Sequence, residues 1–407
     1  EISCSLVGSE MCIRDSAYAD ALAVLLMDGP VKAREAWKTI CSTWKRDPYA
    51  PLFYAMLLRD GFDGQGNPGE GQKEAVRVVE DVLKERPGSQ AALFMRALLE
   101  EVAPSISPAT VETARRAVSA NPFSASAHHL LGHCLFRTGD YEGASAAFKE
   151  SENLCLAWEK AENVSPALDD AYFRSILYRA VSEFCAGRYK RAEAIASKAA
   201  SVPLDKKHPL APGTLLQLWE ARTLPARLML ARPGLPRQAL VLKAFPGPLP
   251  KGFPDLSNGM TAVASQYMGA CYAARQGRTD AVASAFDKMS GILRLLMDGA
   301  DAARRQMSVS YWARCLQAGS LYSSEIRSLM FPDSANVWMS EAIRSQRFSS
   351  LLLPPVVPYP AEWVLARAYL KAGKFRECAD MCEQALKRFP NHAGVLETLD
   401  KARSSGK

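Results

Sequence analysis

The stretch 125–158, ASAHHLLGHCLFRTGDYEGASAAFKESENLCLAW, reads as two amphipathic helices joined by a tight turn. Ala127 to Thr138 forms the first helix, Tyr141 to Asn153 the second, and Gly139-Asp140 sits between them. Glycine reaches the left-handed conformation that ends a helix at no steric cost, and an aspartate side chain caps the helix that follows. The preceding stretch, 91–124, has the same layout. Leu98 and Gly132 lie 34 residues apart, as do Thr110 and Ala144, Ala114 and Phe148, and Ala117 and Ser151. A fixed period of this length marks a repeat architecture, in which each unit buries its apolar face on its neighbours.

The pattern is clearest near the C-terminus, where Leu365, Ala366, Tyr369, Gly373, Phe375, Cys378, Cys382, Ala385 and Pro390 stand in one register. A small residue on the first helix, Gly at the turn, an aromatic two residues later, small residues on the second helix and a closing Pro resemble the tetratricopeptide repeat family. Small side chains let the paired helices approach closely. Looser copies follow from Ala36, Ile40, Thr43 and Pro48, in a repeat beginning near Ala17. Another follows from Ala75, Val79, Val82 and Pro87, with Asp60 to Gly71 in place of its turn. Ala180, Gly187, Tyr189, Ala192, Ala196 and Ala199 mark a copy after an insertion at Asn153 to Leu168, and Tyr267, Gly269, Tyr272, Gly277 and Phe286 a degenerate one. The resemblance is strongest over 89–153 and 361–392. It implies an all-α, tetratricopeptide-like helical repeat solenoid.

Two segments interrupt the pattern. Residues 232–258 hold Pro233, Pro236, Pro246, Pro248, Pro250 and Pro254, too many for a continuous helix. Leu353 to Pro360 carries four prolines and reads as extended chain. The expected organisation is two lobes, a helical repeat lobe at 17–231 and a helical lobe at 259–400 with its matched repeat at 359–392. Residues 232–258 between them are either a linker or an ordered loop packed on one array, and 401–407 form a tail. Residues 303–348 look helical without a recognisable repeat. Residues 1–16 are expected to be foreign to the fold: SLVGSEMCIRDS resembles translated sequencing-adapter read, with neither helical period nor signal-peptide core.

Composition narrows the function. A chain of 407 residues with 48% hydrophobic and 23% charged residues has the balance of a globular protein. No run of about 18 apolar residues predicts a membrane span. The net charge of +7 is dispersed, with no basic block of the kind that nucleic-acid proteins concentrate on one face, so no nucleic-acid partner is expected. Eight scattered cysteines outside residues 1–16 include no CxxC pair; they read as buried thiols, and reduced thiols fit a cytoplasmic setting, with an envelope location as the alternative. There is no P-loop, no GxGxxG after a strand, no HExxH and no GxSxG, so the sequence offers no catalytic motif and no cofactor site.

The candidate site comes from helix register. His129, His133 and Arg137 are four apart and line one helix face. Histidines at that spacing are able to share a zinc ion, but no Asp, Glu or Cys with ligand spacing completes a set, so no metal is expected. In the resembled family this face of the first helix lines a concave peptide groove. The same register carries Met95, Arg96, Phe136, Arg174, Tyr178, Trp363, Arg367 and Lys371 toward or beside that groove. A groove with several Arg and His favours an acidic or C-terminal carboxylate peptide. Family members that clamp chaperone tails use Lys and Asn at inward first-helix positions. Here His129 and His133 stand at those positions. The leading expectation is a non-enzymatic scaffold that binds a protein or peptide. Two alternatives stay open: a ligand-responsive segment of a larger protein, or an enzyme or enzyme subunit with its site in 205–348; separately, Tyr311 and Trp312 are candidates to line a small-molecule pocket between the lobes.

Overall fold

The computed structural model describes residues 2–299, 309–347 and 353–406. Among them all regular structure is helical, apart from one isolated bridge between Phe62 and Pro68. The chain forms two compact units, Glu1–Cys134 and Leu135–Lys407.

In the first unit α1 (Ile2–Met27) runs through the segment that sequence reading set aside. It pairs with α2 (Pro30–Thr43), and α3 (Ala50–Leu58) with α4 (Glu70–Glu85). Helix α5 (Gln90–Glu101) pairs with α6 (Pro108–Ala120), and α7 (Ala125–Thr138) follows, its last turn from Leu135 belonging to the second unit. Each helix buries one narrow stripe. Ala75 and Val79 of α4 meet Leu52, Ala55 and Leu58 of α3 and Ala92 and Leu99 of α5, while Ala33, Trp37 and Ile40 of α2 close on Ala21 and Ala50. Two helix starts are set by N-cap side chains: Ser89 accepts from Ala92 N–H and Ser107 from Thr110 N–H. The glycine-rich stretch between α3 and α4 ends the same way, with Asp60 accepting from the N–H groups of Gly71 and Gln72.

In the second unit Gly139 takes φ +82° and Asp140 accepts from Gly143 N–H, the turn expected from sequence. Helix α8 (Tyr141–Glu162) then continues beyond Asn153, because Cys155 and Glu159 prolong its buried stripe through Phe148 and Ser151. The expected insertion is therefore mostly helix, closed by a 3-10 turn at Pro166–Leu168. Helices α9 (Asp170–Cys185) and α10 (Tyr189–Ala200) form the next hairpin. Helices α11 (Pro212–Leu216) and α12 (Arg222–Ala231) are joined by a π-helical turn at Gln217–Ala221. Pro225 lies within α12; it has no N–H for the carbonyl of Ala221 and its ring crowds that carbonyl, which accounts for the wider turn.

The proline-rich segment 232–258 lies inside this unit as ordered chain. A short helix α13 (Gln238–Ala244) buries Val241, Tyr272 donates its hydroxyl to Pro236 O at 2.8 Å, and Arg222 reaches Gly247 O at 2.8 Å. Next come α14 (Asp255–Arg275) with α15 (Thr279–Asp298), then α16 (Val309–Met330) with α17 (Ala335–Arg347). The extended segment Leu353–Pro360 leads into α18 (Ala361–Lys371), α19 (Phe375–Arg388) and α20 (Ala393–Ser405).

The turn at Gly139 also touches the last repeat. A Cβ there would lie 2.4 Å from Pro390 O, and a left-handed conformation costs other residues about 1–2 kcal/mol. Gly139→Ala is therefore expected to lower the thermal midpoint of the second unit by several degrees. A melt followed by circular dichroism checks it, with Gly88→Ala, which has open space around its Cβ, as the control.

Candidate functional site

Helix α3 is apolar all round, yet only Ala50, Leu52, Ala55 and Leu58 are buried. Its other face is left to solvent, with Phe53 41% and Met56 44% exposed and Tyr49 57% exposed just before it. With Gln90, Phe94 and Met95 of α5 and Ser124 and Ser126 at the entry to α7, these side chains line an open groove of about 300 Å³. Exposed apolar residues gathered in one concavity mark an interaction surface, whereas scattered ones do not.

The groove wall is braced from behind. Phe53 stacks on buried Trp37 at 4.6 Å, and Tyr18 packs edge-on against Trp37 at 4.8 Å. The Tyr18 hydroxyl donates to Asp47 at 2.6 Å, and Asp47 also accepts from the N–H groups of Tyr49 and Ala50, which fixes the start of α3. Burial alone would raise the Asp47 pKa; these donors outweigh it and hold the carboxyl below its ordinary value. Tyr49, Phe53, Met56 and Phe94 were not singled out by repeat register. The signal available for them was the unbroken apolar run APLFYAMLL at 50–58, longer than one buried stripe requires.

Of the residues expected from sequence, Met95 lines this groove. Arg96 beside it is engaged by Glu80 and Glu100. His129 is half-buried, its ring 4.5 Å from that of His133, and buried His133 pairs with Glu101 of the preceding hairpin. In the second unit Phe136 is buried edge-on against Tyr141, Tyr178 and Phe389, and Arg137 is half-buried. Tyr178 is buried and stacks on Phe148 at 4.9 Å, and Arg174 pairs with Asp170 one turn earlier. Trp363 is buried and donates to Thr398 Oγ1 at 2.8 Å; Arg367 lies over its ring at 4.5 Å. Lys371 is exposed at the end of α18. The structure thus joins Phe136 with Tyr178 and Trp363 with Arg367, and those four sit in the packing of the second unit.

Hairpins of this spacing, turn chemistry and small-residue packing have a counterpart among known families. Residues 111–153, from α6 into α8, match the tetratricopeptide repeat family model. That stretch is a repeat of the tetratricopeptide type, and the chain around it is built of helical hairpins too. No curated protein matches it in sequence. Among solved structures, the human IFIT1 dimer with PPP-AAAA is similar at 14% identity over 99% of this chain and 86% of that one, with a TM-score of 0.41. The P58(IPK) tetratricopeptide repeat domain is 17% identical over 83% and 94%, with a TM-score of 0.26, and yeast Tom70 11% identical over 98% and 96%, with a TM-score of 0.23. Likeness at that level carries no argument about function.

The described residues of region 205–348 gather buried charge. Glu220 is buried between Arg314 and Arg227, both buried too. Burial raises its pKa, and the two guanidinium groups more than reverse that, holding it below its ordinary value. Nearby Glu325 accepts from Tyr267 and Tyr359, and here burial prevails and pushes the carboxyl up. The cavity beside Tyr267, Tyr322 and Arg227 measures about 10 Å³, the space of one water and too small for a substrate. Tyr311 is buried against Ser257 at 3.0 Å; the side chain of Trp312 lies outside the described residues.

One further carboxylate titrates in the neutral range. Burial first, and then the neighbouring Asp169 carboxylate, push Glu159 up to about 7 from 4.5. Between those values the folded chain holds more protons at Glu159 than the unfolded chain, so this residue's contribution to stability is lost as pH rises through 7. His392, lowered by burial to about 4, has the opposite slope, so the informative quantity is the difference between variant and wild type. Glu159→Gln is expected to raise the thermal midpoint at pH 8 by about 2–4 °C. The advantage should shrink toward pH 5; a pH series of calorimetric melts checks it.

Proposed function

We propose that this protein is a non-enzymatic binding scaffold, and that its first unit takes an apolar or aromatic anchor of a protein partner in the groove between α3 and α5. The observation that carries this reading is the open, apolar concavity of Phe53, Met56, Phe94 and Met95, with Phe53 stacked on buried Trp37. A wall already fixed by packing loses little freedom on binding, so the ordering cost falls on the ligand. Large rigid apolar side chains in a concavity are the residues that dominate binding energy in known interfaces.

An acidic peptide is less well supported. Arg96 and Arg174, two of the cations expected to receive it, have carboxylates of their own chain beside them. The polar groups at the groove rim, Gln90, Ser124 and Ser126, suit neutral hydrogen bonds to a peptide backbone. Proteins of this fold commonly act by presenting such faces.

Panning a phage-displayed peptide library on the full chain tests the proposal. Selected peptides are expected to share an aromatic or aliphatic anchor. Met56→Asp is expected to weaken them by about 2 kcal/mol, roughly thirtyfold, with the melting temperature unchanged. Equal binding to wild type and Met56→Asp would overturn the assignment of the groove. A gel-shift arm with PPP-AAAA, which accompanies human IFIT1, covers the other ligand class. A shift there with no selected peptide would replace the reading.

A further inference from the structure

The second unit already contains an extended chain held as a ligand would be held. Among the described residues Leu353–Pro360 makes no ladder with another segment, and side chains meet five of its eight carbonyls. Tyr178 of α9 donates to Leu353 O at 2.9 Å, Arg314 of α16 to Pro354 O at 2.6 Å and Arg227 of α12 to Val356 O at 2.6 Å. His392 lies 3.4 Å from Pro358 O, and Gln346 donates to Tyr359 O at 2.9 Å. Tyr267 and Tyr322 line the small cavity beside Val356, Val357 and Pro358, and Val356, Val357 and Tyr359 are buried. Four of the eight residues are prolines, without N–H groups. Donors aimed at carbonyls between aromatic walls are how proline-rich extended peptides are recognised.

A loop that merely fills space needs apolar contacts. Two of these donors instead belong to a buried ion cluster, Glu220 with Arg227 and Arg314, whose desolvation is costly. Glu220 orients both guanidinium groups, and each spends a remaining N–H on a carbonyl of the segment. The cluster is thus arranged for reading a backbone. We propose that the interior of the second unit is a recognition site for an extended proline-rich backbone, and that Leu353–Pro360 occupies it as a ligand in cis. A proline-rich segment of the same pattern from another molecule then binds only by displacing it. This proposal is independent of the groove in the first unit.

A ligand tethered in cis competes at an effective concentration in the millimolar range, so it lowers the apparent affinity of a free peptide by about a hundredfold or more. The test uses the full chain, a fluorescein-labelled peptide LPPVVPYP and fluorescence anisotropy. Wild type is expected to take up no peptide. A Val356→Gly, Val357→Gly double variant, whose own segment has lost its buried side chains, is expected to bind the peptide and to melt at a higher temperature with it. The same peptide with alanine for every proline should bind at least about tenfold more weakly, as the preformed extended conformation is lost. If the variant is unfolded, recovery of its helical circular dichroism on adding LPPVVPYP supports the proposal. Wild type binding as tightly as the variant would overturn it. So would a folded variant that takes up no peptide, or an unfolded one that the peptide does not restore.

Discussion

Close approach of paired helices is the constraint on which this structure rests. Packed helix axes lie about 8–10 Å apart, and they reach the near end of that range where the facing side chains are small. The hairpins supply such residues on both partners: Ala55 with Ala75, Ala92 and Ala97 with Ala114, Ala180 with Ala192 and Ala196, and Ala366 with Cys378, all fully buried. Larger side chains then fill the space beside these contacts, as Phe148 does against Tyr178 and Trp37 against Phe53. The groove helices α3 and α5 are among those that these small residues hold in place.

The two units use that framework differently. In the first, the outward face of α3 exceeds what the core can bury, and apolar surface remains open beside α5. In the second, the interior is filled by the chain itself. There a carboxylate that would be unfavourable alone, Glu220, is neutralised by two guanidinium groups, and these in turn satisfy carbonyls of a segment with few N–H groups to pair. Glu325 takes the other course: it has two tyrosine hydroxyl donors, and burial shifts it toward the neutral form.

Repeat register was a good guide to which residues lie on first helices and a poor guide to what they do there. Trp363, Phe136, Tyr178 and His133 have the spacing of groove residues, but the structure buries each one. The reason is non-local. Register places a side chain on a helix face, and whether that face is open depends on what the rest of the chain lays over it. Leu353 reaches Tyr178 from 175 positions away, and Glu101 reaches His133 from 32. The run 50–58 shows the converse, since its excess of apolar residues was visible in the sequence while its exposure was not.

The sequence by itself determined the helical class, the hairpin period, the glycine and aspartate of the turn at 139–140 and the interruption of the repeats by proline, because these follow from local conformational preferences and spacing along the chain. Tertiary structure alone decided that α8 runs on to Glu162, that 232–258 is packed chain, that Arg227 and Arg314 converge on Glu220, and that the open groove lies between α3 and α5. Each of those depends on residues distant in sequence meeting in space, where burial, charge pairing and the volume left over are set by neighbours that no local pattern encodes.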